Sequence, residues 1–191
     1  MKLNPAYLED ASGLRGHADA VYIPTTEAEI SELLKQASSE RIPVTIAGAG
    51  TGVAGGRVPS GGWVISLEKF RQIEIEDGRA KVGAGVLLRD LQSQAQMSGQ
   101  FYAPDPTETA ASIGGTIATN ASGSRSFRYG DTRRHVLGLR VILADGSIQV
   151  LNRGEAASFD FAEVPPPNTT KHSAGFYLRR GMDLSRSVYW F

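Results

Sequence analysis

Glycine is unevenly distributed along these 191 residues, and its placement limits the fold more than any other feature. Gly48, Gly50, Gly52, Gly55, Gly56, Gly61 and Gly62 crowd one stretch, and Gly114, Gly115, Gly123 and Gly130 crowd another. Glycine makes up nearly 12% of the chain, against about 7% in ordinary proteins. The first cluster, Ile46-Ala47-Gly48-Ala49-Gly50-Thr51-Gly52-Val53-Ala54-Gly55-Gly56, follows a short apolar run and has no charge before Arg57. Successive small residues let neighbouring N–H groups turn toward one point and form a concave donor nest for anionic oxygens. Thr51 adds a hydroxyl, and a diphosphate is the natural guest of such a loop.

Gly50, Gly52 and Gly55 also satisfy G-x-G-x-x-G, and Glu68 lies near the offset of a ribose-binding acid. That motif serves a dinucleotide only when a long helix begins inside it, so that the helix dipole meets the pyrophosphate. Here Gly55-Gly56-Arg57-Val58-Pro59-Ser60-Gly61-Gly62 follows, which cannot sustain a helix. The Rossmann reading is therefore set aside.

Ordinary elements surround the loops. Thr26 and Glu29 have capping-box spacing, and Ile30, Leu33, Leu34 and Ala37 then form one apolar helical face. Pro43 limits that helix, and Pro43–Ala47 and Trp63–Leu67 read as short buried strands, which predicts a small, partly parallel α/β lobe over residues 1–72. Beyond it, Ile73–Glu76, Asp77-Gly78 and Arg79–Val82 form a hairpin signal. Leu87, Leu88, Leu91 and Ala95 mark a second helix ending near Gly99, and Leu139–Leu143 pairs with Ile148–Leu151 across Asp145-Gly146. Residues 73–191 thus read as a second lobe with a mainly antiparallel sheet and flanking helices, an α+β fold in all. A long connection from about 154 to 170 holds Pro165-Pro166-Pro167, and the chain stops in an apolar run, Ser187–Phe191. That ending predicts a longer parent protein.

Composition excludes several classes. Twenty basic and twenty acidic residues cancel, which leaves no electrostatic footprint for nucleic acid or an anionic membrane. With no cysteine there is no disulfide, thiolate nucleophile or cysteine metal site. No apolar run reaches membrane-spanning length and Met1–Pro5 lacks a signal core, so a cytoplasmic protein is expected. His17, His135 and His172 lack metal-ligand spacing. Arg125, Arg128, Arg133 and Arg134 read as a solvated or partner-facing basic cluster, and Glu27/Glu29 and Glu74/Glu76 lie on a helix start and a hairpin. No nucleophile, base and orienting group occur together, so no catalytic residue and no metal ligand is assigned.

The second glycine region runs from Ala103-Pro104-Asp105-Pro106 through Ala111–Asn120 to Ala121-Ser122-Gly123, with Arg128-Tyr129-Gly130-Asp131 beyond. Its middle is almost entirely small residues, reads as a loop, and suits close backbone approach to a flat ligand. Asn120 offers both a donor and an acceptor, with a turn residue as the plainer alternative. Two such regions some 60 residues apart point to one extended ligand.

Taken together, these segments resemble the FAD-binding (PCMH-type) domain of the vanillyl-alcohol oxidase flavoproteins, in particular the D-lactate dehydrogenase and glycolate oxidase branch. The likeness rests on Tyr22–Glu29, Ala47–Gly56, Pro104–Pro106, Ser112–Gly115, Thr119–Gly123, Tyr129–Asp131, His135–Leu139 and Asp145-Gly146, and continues through Lys171–Leu184. It implies a two-lobed fold with FAD extended between the lobes. By that likeness Gly48, Ala49, Gly50, Thr51, Gly52 and Val53 hold the pyrophosphate. Pro104, Asp105, Gly114, Gly115, Ile117, Asn120, Gly123 and Gly130 line the rest, with Val136 near the adenine end.

Members with covalent flavin carry a histidine in the first loop where this chain has Thr51, which implies non-covalent FAD. The likeness also implies an oxidoreductase acting on a 2-hydroxy acid, whose substrate-binding cap domain or partner subunit lies outside this chain. The glycine-rich segment that follows a stretch like Met182-Asp183-Leu184 in that family is missing here. The alternatives are a stand-alone flavin or nucleotide carrier and an interaction subunit that has lost its cofactor.

Overall fold

The computed structural model describes residues 3–155 and Asn168. The proline run, His172, the Lys171–Leu184 likeness and the Ser187–Phe191 ending lie outside the described residues. Three strands open the chain's main sheet: β1 (Ala20–Tyr22), β2 (Val44–Ala47) and β3 (Trp63–Ser66). Their order is β1-β3-β2, and both pairings are parallel, with Val21 and Thr45 flanking Val64. Helix α1 (Glu27–Glu40) makes the β1-to-β2 crossover, as parallel pairing requires.

The helix begins where its sequence says it should. Thr26 is the N-cap, and its Oγ1 accepts from the Glu29 amide at 3.2 Å. The Glu29 carboxylate reaches back one residue beyond the cap, to the Thr25 amide at 2.6 Å. That bond, first among its causes, holds the Glu29 carboxyl below its ordinary range. Ile30 and Leu34 then pack on Ile65 of β3, with Leu33, Val44, Leu67, Phe70 and Ile142 around them. Each such fully buried side chain contributes about 1.5–3 kcal/mol. β1 escapes a sequence reading because it is three residues long and only half-buried, recruited by pairing to β3 and by Tyr22 packing edge-on against Trp63 at 5.0 Å.

β4 (Ile73–Glu76) and β5 (Arg79–Val82) form the expected antiparallel hairpin, in register Ile73↔Val82 through Glu76↔Arg79. Helix α2 (Leu88–Met97) buries Leu88, Leu91 and Ala95. Three shorter pieces differ from the sequence expectation or refine it. Ile113–Ala118, read as loop, is helix α3, because the Ile113 and Gly114 amides are anchored on the carbonyls of Val86 (2.7 Å) and Ala84 (2.9 Å). α4 (Ser126–Tyr129) is a single turn, and β6 (Gly138–Ile142) pairs with β7 (Ile148–Asn152).

The contacts divide the chain into two compact units. The first runs to Tyr102 and adds Glu108–Gly115 and Ile142–Ser147; the second holds Ala103–Thr107, Thr116–Val141 and the described residues from Ile148 onward. β4, β5 and α2 therefore fall in the same unit as the parallel sheet. The Gly83 and Gly85 amides donate to Gln72 and Phe70 carbonyls, both at 2.9 Å.

Tyr102, near the end of the first unit's main segment, makes a pH prediction. Burial pushes its phenol from 10.0 up to about 12. The unfolded chain therefore releases this proton at a pH where the folded chain keeps it. The corresponding stability is present below pH 10 and is lost as the pH rises through the folded value. A displacement of this size is worth on the order of 2–3 kcal/mol. Tyr102→Phe is expected to flatten the alkaline fall in stability, seen as urea midpoints at pH 9 and pH 11.5 that differ less than in the wild type.

Candidate functional site

The first glycine loop leaves β2 at Ala47 and runs to Arg57 with no helix in it. Its conformation depends on Gly50, whose φ of +79° lies in the left-handed region. A Cβ there would also stand 2.0 Å from Arg57 Nη1. The main-chain amides of Gly50, Thr51, Gly52 and Val53 donate to no protein acceptor among the described residues. Gly52, Val53 and Ala54 are exposed. Four consecutive unsatisfied donors on small residues are what an anionic oxygen cluster needs. Within a folded chain they otherwise go unmet except by water.

The loop is braced from below. The Gly50 carbonyl accepts from the Ala11 amide at 3.1 Å, and the Arg57 guanidinium donates through Nη1 to the Gly48 carbonyl at 3.1 Å and through Nη2 to the Ala6 carbonyl. Arg57 lies 6.0 Å over the Tyr7 ring, whose hydroxyl donates to Glu68 at 2.9 Å. Glu68, the acid at a ribose-binding offset in sequence, is thus engaged by Tyr7 and by Ser66 Oγ at 3.1 Å. Burial holds the Arg57 pKa below its ordinary value, with Tyr7, Asp10 and Glu68 opposing. Burial and the Glu68 bond raise that of Tyr7.

Ser112 joins the two glycine regions within the first unit. Its buried Oγ accepts from the Ala49 amide at 3.3 Å, across 63 residues of sequence. The same oxygen would be 2.5 Å from a Cβ on Gly48 and 3.0 Å from one on Gly115. Gly48, Ala49 and Gly115 of the expected set are therefore brought together around one serine. Gly114 plays a different part: its amide is already bonded to Ala84, and a Cβ would meet the Ala84 methyl at 2.9 Å.

In the second unit the remaining expected residues form a polar lattice of their own. Asn120 is buried with φ +47°; its Nδ2 donates to Asp131 at 2.8 Å and its Oδ1 accepts from the Arg133 amide at 3.1 Å. Its side chain shapes the turn and holds Asp131. Thr132, fully buried, donates both its amide and its hydroxyl to the Ala121 carbonyl. Gly123 bridges Pro106, Asp105 accepts from Ser124 Oγ at 3.0 Å and pairs with Arg125 at 3.5 Å, and Pro104 is buried. Ile117 is half-buried, Gly130 caps α4 with φ +90°, and buried Val136 offers its carbonyl to Arg153 at 2.9 Å. Of the basic cluster, Arg133 is buried, Arg125 is paired and Arg128 lies 5.2 Å over Tyr129.

Ser112 and Asp131 stand in segments that carry the likeness without being singled out there, and Arg57 was not singled out at all. A serine just before Gly-Gly was a usable signal for the first. Nothing local marks Arg57, whose second acceptor is 51 residues away. Among the described residues no group of His, Cys, Asp and Glu is arranged to hold a metal, and no helix is long and apolar enough to cross a membrane.

A small parallel sheet crossed by one helix, an antiparallel hairpin and a helix-free glycine loop make a fold of the PCMH type. Residues 18–152 match the family described as FAD binding domain, and the chain belongs to that family. D-lactate dehydrogenase of Archaeoglobus fulgidus is 44% identical over 158 residues, which cover 81% of this chain and 32% of that protein. Glycolate oxidase subunit GlcD of Bacillus subtilis is 39% identical over 135 residues, 68% of this chain and 29% of that one. The chain spans about a third of the length of the curated relatives it matches. Among solved structures, 6-hydroxy-D-nicotine oxidase of Arthrobacter nicotinovorans superposes with a TM-score of 0.68 at 21% identity, covering 78% of this chain and 33% of that one. Chitooligosaccharide oxidase gives 0.71 at 19%, covering 78% and 32%. At these identities the structures speak for the fold alone.

Proposed function

We propose that this chain is the FAD-holding part of an oxidoreductase that oxidises a 2-hydroxy acid of the D-lactate or glycolate type. The observation that carries the reading is the run of open amides from Gly50 to Val53, on a loop where a Cβ at Gly50 would meet Arg57. A diphosphate fits this donor set, since its oxygens accept charge-assisted bonds from main-chain N–H groups without displacing any side chain. Gly48 to Val53 would hold the pyrophosphate. Gly115 and, in the second unit, Ile117, Gly123, Gly130 and Val136 would contribute further contacts, while Asn120, Gly114 and Asp105 keep those segments in shape. Thr51 has no imidazole to form a flavin linkage, which supports non-covalent attachment.

When bound, the flavin supplies a two-electron acceptor for the hydride leaving the substrate's alpha carbon. The residues of this chain bind and orient that cofactor. The substrate carboxylate clamp and the base would come from a cap domain or a partner subunit in the remaining two thirds of a relative-sized protein, so this chain by itself is expected to be inactive. The relatives named D-lactate dehydrogenase and glycolate oxidase subunit support the substrate class. A cytoplasmic site of action is part of the same proposal.

The test is an absorbance spectrum of the purified protein, followed by titration with FAD. A structured flavin band, released by mild denaturation, is the expected result. Absence of both band and binding would overturn the reading. With FAD bound, assays of D-lactate and glycolate oxidation in the presence of the cap domain or partner subunit address the substrate.

A further inference from the structure

The N-terminal segment belongs to no expected part of the site, yet it forms the floor of the glycine loop. Its Ala6 carbonyl lies in the short 3-10 turn Pro5–Tyr7, which Asn4 caps by accepting from the Ala6 amide at 3.0 Å. The Arg57 guanidinium ties that carbonyl to the Gly48 carbonyl, and the Ala11 amide ties the same segment to the Gly50 carbonyl. Arg57 forms no ion pair among the described residues, and its Nε is buried without an acceptor. Asp10 Oδ2, also buried, has no hydrogen-bond partner among the described residues, and its carboxylate attracts the Arg57 charge. A half-buried cation that leaves one donor unmet to reach two carbonyls is tied to those carbonyls by its position.

Resting on the FAD reading above, we propose that Arg57 is a positioning residue for the diphosphate: it pins the N-terminal segment beneath the loop and keeps the Gly50–Val53 amides clear of internal acceptors. A run so rich in glycine has many conformers, and holding the Gly48 and Gly50 carbonyls from below removes most of them before ligand arrives. The rigid two-pronged guanidinium spans the Gly48 and Ala6 carbonyls. A lysine ammonium carries the same charge on a single point and does not.

The test compares wild type, Arg57→Lys and Arg57→Gln. FAD affinity is read by flavin fluorescence, and the ligand-free loop by amide NMR positions of Gly50 to Val53. Both variants are expected to weaken FAD binding by about tenfold or more, with the loop amides displaced and the β2 and β3 amides in place. Full affinity in Arg57→Lys would overturn the proposal, because charge alone would then suffice; so would unmoved loop amides in both variants. Should a variant fail to fold, deletion of residues 1–7 removes the Ala6 acceptor, leaves Arg57, and carries the same expectation. If wild type takes up no FAD, the functional reading falls, and the loop amide positions still decide whether Arg57 shapes the loop.

Discussion

Leucine in place of Gly50 is expected to abolish FAD binding, raising Kd by about 100-fold or more, equivalent to roughly 2.7 kcal/mol. Two effects act at once. The residue sits at φ +79°, where any L side chain is strained by about 1–2 kcal/mol. The added carbon would also lie 2.0 Å from Arg57 Nη1 and 2.9 Å from its Cζ, so the guanidinium must leave the Gly48 carbonyl. Both push the loop away from the geometry that exposes its amides. The loop itself is outside the hydrophobic cluster of Ile30, Leu34 and Ile65, so the fold should survive with a modestly lower melting temperature. Equilibrium titration with FAD and a thermal melt on the same sample check both parts, and unchanged affinity would sink the pyrophosphate assignment.

Gly123→Ala is expected to produce the largest loss of stability. A Cβ at this position would stand 1.4 Å from the Asp105 carbonyl oxygen and 2.3 Å from its carbon. These are backbone atoms, so no rotamer change relieves the overlap. The Pro106–Gly123 bridge must open. A cost on the order of 3–5 kcal/mol is expected for such a forced backbone separation. Gly78→Ala is the control: it has φ +71° but nothing within 4 Å of the new carbon, so it should cost only about 1–2 kcal/mol. Urea midpoints for the two variants measure the contrast, and equal midpoints would show that the Asp105–Gly123 approach is not a close one in solution.

Much of the local structure was legible because its causes are local. The Thr26 cap, the Ile30 and Leu34 spacing and the Asp77-Gly78 turn each act within a few residues, and each element lies where those signals put it. The helix-free passage after Gly56 was legible for the same reason. The small-residue stretch at Ile113–Ala118 misled because two adjacent glycines argue against a helix, whereas the Val86 and Ala84 carbonyls hold its first turn in place. Asn120 offers a donor and an acceptor that any neighbour could take, and only the structure shows that Asp131 and the Arg133 amide meet them.

The amino-acid order alone determined that the stretch after β2 carries little side-chain bulk between a ligand and the main chain, because that depends only on which residues stand there. The tertiary structure decided what the lack of a side chain makes room for at each glycine, since that depends on what a Cβ would meet. At Gly50 it would meet Arg57, at Gly114 the Ala84 methyl and at Gly123 a carbonyl 18 residues earlier in the chain. It also assigned Ser112 and Arg57 to the loop, through contacts spanning 63 and 51 residues, because a hydrogen bond is set by distance in space and leaves no periodic trace in sequence.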